Sequence, residues 1–439
     1  MDVVTQNVPY TATFLLGGIG FLTVLYFLLS AIYNLYFHPL AKIPGHRAWS
    51  ATHIPLAWSI YRGTSVRKMQ QLHRQYGPIL RIGPDSVSFA QAEAWAHVLQ
   101  PPPGSPETIL KDTQWFRPLP GMVPSLSQAV EPSPHAHIKK AMLPAFTARA
   151  LRAQEPFIQR YVNLLVDRLR DIASGDSSSF FVGEHAPAEV DIVSWLNFTT
   201  FDIFGDLGFG ESFGCLEHSR HHPWVSIIFS NLKGIALLRA ASYFPIVESL
   251  LTLCIPASIR KMQSDHVEFV RKKVETRLNY EFKREDLMSC VYRAEGHHEF
   301  TENQDRRLRE KSEQEGGGGL SVEAITSVFW EMIMAGSETT ATSLAGTINL
   351  LVQNPDKLRI LADELRTRFD VETSDSISLD ELHDLPYLNA VLKEGLRLCA
   401  PFPWILPRVI PTGGGNICGA WLPEGVSSSP VNFVMYPPC

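Results

Sequence analysis

The 439-residue sequence predicts a mainly α fold with a minor β part, preceded by one N-terminal transmembrane helix. Three observations carry that expectation. Helical apolar spacing dominates the chain, above all in Leu320 to Asn354 (LSVEAITSVFWEMIMAGSETTATSLAGTINLLVQN). Short alternating segments bounded by Gly and Pro occur only near the two ends, at Ile79 to Ala90 and Thr412 to Val426. Between Asp2 and Lys42 there is no Asp, Glu, Lys or Arg, and the run Thr11 to Tyr36 is long enough to span a bilayer.

Composition limits the functions available. Hydrophobic residues make up 45% of the chain and support a large core, while the net charge of −6 argues against nucleic acid as a partner. Six scattered cysteines form no CxxC pair, which points to free thiols in a reducing compartment and to no metal site of the zinc type.

At the amino terminus, residues 1–38 read as a retained anchor. A cleaved signal peptide is disfavoured because no basic segment precedes the run and no small-residue cleavage site follows it. Lys42, His46 and Arg47 follow the run, so the excess of basic charge places the domain beyond it in the cytoplasm. Residues 39–48, with Pro39 and Pro44, read as a proline-rich hinge.

Along the main body, residues 49–426, helices are expected over Ser65 to Tyr76, Gln91 to Leu99, His135 to Phe146, Ala148 to Ile172 and Asp191 to Leu207. Leu237 to Leu253 is a further apolar stretch, and Asp265 to Phe282 a charged helix. Gly296 to Gly319, ending in four glycines, reads as a surface loop. Asp356 to Phe369 and Pro386 to Leu398 are the last helices, and residues 427–439 read as a tail outside the domain.

The helix from Leu320 to Asn354 is framed by Ser321, which can cap its start, and by Asn354-Pro355, which stops it. In its middle, Ala335-Gly336-Ser337-Glu338-Thr339-Thr340 breaks the apolar rule. Gly336 costs about 1 kcal/mol against alanine. A carboxylate and hydroxyls at buried depth require partners or a function. A kinked core helix, with threonines bonding back to the preceding carbonyls, explains the same residues without any function. Glu394 and Arg397, three apart on one helix, form at least an ordinary ion pair.

AGSETT on a long helix, then EGLR, then LPRVIP and the GGGNICGAWLPEG hairpin, resemble the cytochrome P-450 haem-thiolate monooxygenases. The YFHPLAKIPG segment and HAHIKKAMLPAFTARAL are similar to the microsomal fungal secondary-metabolism branch. That resemblance implies the P-450 fold and a haem b cofactor. Ala335 and Gly336 would open a groove over the haem face, and Thr339 would pass protons through water to the dioxygen being cleaved, with Glu338 beside it. Arg408, His135 and Lys139 would face the haem propionates, and Glu394 and Arg397 would brace the haem-binding core. The activity implied is oxidation of a small apolar substrate, a polyketide or terpenoid, with electrons from NADPH-cytochrome P-450 reductase at the endoplasmic reticulum membrane.

One departure from the family pattern stands out. The loop holding the cysteine that ligates haem iron belongs beyond the Thr412 to Val426 hairpin, where this sequence turns to SSSPVNFVMYPPC. Cys418 lies in a glycine-rich run, but Pro411 stands where the motif needs phenylalanine. No cysteine of the chain is therefore assigned as axial ligand. The expectation is a fold truncated before that loop, with a haem-poor remnant or a non-catalytic membrane-bound partner as the alternative to an active monooxygenase.

Overall fold

The computed structural model describes residues 8–100, 109–118, 121–174, 189–220, 222, 233–279, 286–293, 320–369, 377–402 and 406–430. The chain forms two compact units: residues 1–115, 233–253 and 403–439, and residues 116–232 and 254–402. Each has its own core.

The first unit begins with the helix Val8–Tyr36 and a short 3-10 turn, Pro39–Lys42. Helices Arg47–Ala51, Ile54–Tyr61 and Ser65–Tyr76 follow, the first and third ended by Thr52 and Gly77, which leave the helical region. The strands are β1 (Ile79–Arg81), β2 (Ser86–Phe89), β3 (Leu110–Lys111), β4 (Arg408–Val409), β5 (Gly415–Ile417), β6 (Ala420–Leu422) and β7 (Ser427–Pro430). Five of them make one sheet in the order β1-β2-β7-β4-β3, and β5 and β6 form the separate hairpin expected near the carboxyl end. β7 runs parallel to β2, Val87 opposite Ser428, and antiparallel to β4. The first four residues of the expected tail are thus an inner strand of this sheet. Ser428 and Ser429 are buried in it.

The proline-rich segment is packed against this unit. Leu40 is buried in the core formed with Val87, Phe89, Ile410 and Leu422. Pro44 accepts a hydrogen bond from the Arg81 amide at 2.7 Å. A Cβ on Gly45 would lie 2.6 Å from the Arg81 carbonyl, so the close approach needs glycine. Prolines here fix a path that is packed on both sides.

Leu237 to Leu253 is not one element. A helix over 233–241 ends before Pro245, which starts the helix Pro245–Cys254. The residue before a proline is pushed away from helical angles, so the break falls at Phe244.

The second unit is helical. The helix Val322–Gln353, 32 residues and about 48 Å long at 1.5 Å per residue, runs through it. Ser321 caps its start by accepting from the Ala324 amide at 3.2 Å, as its position predicts. Against it lies Ile192–Phe209, buried almost all round from Trp195 to Phe209. Their shared core includes Phe201, Phe204, Phe209, Phe329 and Ile333, with Val270 and Val274 from Ala257–Leu278. Phe204, Leu207, Phe209, Phe213, Cys215 and Leu216 also belong to this core. Gly296 to Gly319 lies outside the described residues.

Candidate functional site

On the helix Val322–Gln353, Ile333, Ser337 and Ala341 are each 0% exposed and form a stripe at i, i+4, i+8. The opposite face is open. Ala335, Gly336 and Thr340 are exposed, and Glu338 and Thr339 are part-exposed, although the helix is buried from Ile325 to Phe329 just before them. The unusual run thus has two sides, one locked in the core and one facing outward with only small or polar groups.

Three contacts hold the run and the turns before it. Ser337 donates to the Thr200 carbonyl at 3.4 Å. A Cβ on Gly336 would meet Phe204 at 3.3 Å, so the missing side chain admits that ring. Glu331, one turn earlier, accepts from the Ser127 amide at 3.2 Å. The helix remains continuous through the run.

Hydroxyls bond back along the open side. Thr339 donates to the Ala335 carbonyl, Ser343 to Thr339 at 2.9 Å, and Thr347 to Ser343 at 2.8 Å. The purely structural role of these side chains is therefore real, and Thr339 keeps its oxygen lone pairs as acceptors. Glu338 differs. Its Oε2 atom is buried with no hydrogen-bond partner, and burial raises its carboxyl above the usual range, partly offset by a bond from Thr342. A carboxyl so placed binds its proton more tightly than a solvated one does.

The other expected residues fall into three groups. Glu394 and Arg397, on Pro386–Leu398, form a two-pronged ion pair, Nε to Oε2 at 2.5 Å and Nη2 to Oε1. The Arg397 guanidinium holds the Glu394 carboxyl below its ordinary range. His135 and Lys139 sit one turn apart on Pro132–Met142, whose buried residues are Ile138, Ala141 and Met142. His135 is half-buried and Lys139 exposed. Arg408 belongs to the first unit, in β4 between β3 and β7, where burial lowers its affinity for the proton.

Among the four cysteines of described placement, Cys215 is buried, and burial pushes its thiol up to about 12. Cys399 packs on Gly346. Cys418 occupies the turn between β5 and β6 at φ 50, with its amide donating to His97 Nδ1 at 3.2 Å. Its thiol is also raised by burial. Cys254 is exposed at the end of Pro245–Cys254.

Several buried polar groups that shape the second unit were not singled out from sequence. Asp202 accepts from the Cys215 and Leu216 amides at 3.0 and 2.8 Å, and Asp206 binds Arg160 and Tyr161. Two aspartates four apart in an otherwise apolar helix were the available signal. Arg277 and Asp286 form a buried ion pair, and Gly210, at φ 80, leaves room for the arginine.

A haem is compatible with the open face. The face follows a buried stretch of the helix, is built of small or polar residues from Ala335 to Thr340, and has an unpartnered carboxylate oxygen beside a hydroxyl. Comparison with known proteins agrees. The family described as Cytochrome P450 matches residues 45–426. The cytochrome P450 monooxygenase efuB of Hormonema carpetanum is 34% identical over 412 residues, 94% of this chain and 76% of that protein. Averantin hydroxylase of Dothistroma septosporum is 36% identical over 416 residues, 95% of this chain and 71% of its own length. The cytochrome P450 monooxygenase astJ of Aspergillus oryzae is 35% identical over 399 residues, covering 91% and 73%. With the helical fold, the minor sheet and the open-faced helix in hand, the chain belongs to the cytochrome P450 family, whose members are haem-dependent oxidoreductases.

Proposed function

We propose that this chain is a monooxygenase acting on an apolar secondary metabolite of the polyketide or terpenoid class. Electrons would come from NADPH-cytochrome P-450 reductase, and the site of action would be the endoplasmic reticulum membrane. The observation that carries the reading is the two-sided run Ala335 to Thr340, locked by Ser337 and open at Glu338 and Thr339. The relatives support it through their names, one of which is a hydroxylase.

When bound, the haem supplies the electron-transfer and dioxygen chemistry that side chains lack. The residues of this chain do the rest. Ala335 and Gly336 keep bulk away from the open face. Glu338 holds a proton at its carboxyl, and Thr339 accepts and passes it on through its hydroxyl oxygen. Arg408, His135 and Lys139 would hold the propionates through charge and hydrogen bonding, Arg408 with the two-pronged geometry that Lys139 lacks. Glu394 and Arg397 stiffen the helix Pro386–Leu398.

A second reading has its own support. The cysteines of described placement are buried as thiols, packed against glycine, held in a hairpin turn or exposed at a helix end. A haem-poor, non-catalytic membrane-bound form follows if no thiolate reaches the iron. The test is a reduced carbon-monoxide difference spectrum of the full chain in microsomes with reductase added. A Soret band at the thiolate-ligated position is the expected result for the enzyme. Its absence from folded, membrane-bound protein selects the second reading.

A further inference from the structure

Glu331 stands at the head of a stripe that ends on Thr339. Residues four apart share a face of a helix, so Glu331, Ala335 and Thr339 lie one above the next. The stripe is two residues out of step with Ile333, Ser337 and Ala341, which are fully buried. At 3.6 residues per turn that places it about 200° round the helix, on the open side. Phe329 is buried just before Glu331, and Trp330, Met332 and Met334 pack against the same core. A half-buried carboxylate in so apolar a stretch is costly unless something bonds to it.

One of its oxygens is accounted for. Oε2 accepts from the Ser127 amide at 3.2 Å, across 204 positions of sequence. Among the described residues nothing donates to Oε1, and that atom is not enclosed. The turn that supplies Ser127 is itself held in place. The Ala129 amide donates to the Ser125 carbonyl at 2.8 Å, and the Ser125 amide to Gln128 Oε1 at 3.3 Å. The same turn carries a second unmet group, for Ser125 is 1% exposed and its hydroxyl has no partner.

Bracing the turn explains only part of this. A brace needs one acceptor oxygen and no charge, and a glutamine would supply it. A carboxylate with one oxygen pinned and the other open matches a donor that arrives with the substrate. An apolar molecule can bring such a donor as a phenolic hydroxyl. Its hydrogen bond to a carboxylate is about twice as strong as one between neutral groups.

We propose that Glu331 is a specificity-determining residue, which binds a phenolic hydroxyl of the substrate through Oε1 while Ser127 fixes Oε2. The substrate class narrows accordingly to hydroxylated aromatics, the polyketide arm of the proposed function. The inference rests on the reading that substrate is oxidised at the open face of Val322–Gln353.

The full chain in phosphatidylcholine nanodiscs, titrated with 2-anthrol and with 2-methoxyanthracene, provides the test. The second probe has the same ring and no donor. Binding is read from quenching of tryptophan emission, with empty nanodiscs as the partition blank. The wild type should bind 2-anthrol about tenfold more tightly than the ether. Glu331→Leu should abolish that preference by losing affinity for 2-anthrol alone, and Glu331→Gln, which keeps an acceptor oxygen, should restore part of it. Weakening of both probes together in Glu331→Leu is what a brace alone produces, and it overturns the proposal. So does a wild-type chain without the preference. Should Glu331→Leu lose the circular-dichroism signal of folded helix, Glu331→Gln decides, and an unchanged preference there overturns the proposal. None of these readouts needs turnover. A Soret band at the thiolate-ligated position without the preference sinks the role of Glu331 alone. The preference without the band removes the monooxygenase reading and leaves Glu331 standing as a binding residue.

Discussion

The two halves of the helix Val322–Gln353 are packed by opposite means. Its first half is buried by volume: Phe329 and Ile333 sit in an aromatic core with Phe209, whose ring centre is 5.8 Å from that of Phe329. Its second half is packed by absence. A Cβ on Gly346 would lie 2.2 Å from Cys399 Sγ, and one on Gly395 would lie 2.1 Å from Thr347 Oγ1. There the helix Pro386–Leu398 comes so close that only glycine fits. The first arrangement tolerates repacking at a cost in energy, whereas the second sets a distance. Glu338 and Thr339 lie between the two, placed by a filled core on one side and a fixed spacing on the other.

The comparison can be broken most directly at Phe329. Phe329→Ala removes a fully buried ring, and chemical denaturation should show a loss of about 3–5 kcal/mol. A loss under about 1 kcal/mol would mean that volume does not hold the first half. Gly395→Ala should cost less, about 1–3 kcal/mol, because the new methyl must displace Thr347. The Glu394 and Arg397 pair rides on the same helix, so this variant should also weaken haem retention, read from the Soret absorbance per polypeptide.

Glu338 sharpens the comparison through pH. Its carboxyl is raised in the folded state, chiefly by burial. The folded protein therefore binds this proton more tightly than the unfolded chain. Stability should fall as pH rises from the ordinary carboxylate range through the raised value. Glu338→Gln should flatten that slope in denaturation midpoints measured across the window, and an unchanged slope would contradict the burial. Gly336→Ala should have the smallest effect, within about 1 kcal/mol, since gained helix propensity offsets a tight contact with Phe204.

Much of this helix was legible in the sequence. Ser321, Asn354 and Pro355 mark its ends, and the break in apolar spacing at Gly336 to Thr340 marks its special stretch. What could not be read was which side of that stretch is open, because Ser337 and Glu338 are adjacent polar residues with opposite surroundings. The core role of Phe204, Phe209 and Phe213 was hidden for a related reason. Apolar residues lining a channel and apolar residues filling a core have the same composition. Pro39 and Pro44 suggested a hinge, since proline usually marks loops, yet Leu40 between them is a core residue. The burial of Arg81 left no trace in the pattern at all. Its acceptors are the main-chain carbonyls of Asn34, Gly83 and Pro84, and every residue possesses one.

The position of β7 has a consequence for how the protein is made. Val87 in β2 pairs with Ser428, 341 positions later (428 − 87), and β7 also joins β4 to the sheet. At about 5–20 residues per second, a ribosome needs roughly 17–68 seconds to travel between them. Throughout that interval the inner edge of β2 has no strand beside it, in a chain whose first helix is already available to a membrane. Chaperone occupancy of nascent chains stalled before Ser427 should accordingly exceed that of chains stalled after Pro430.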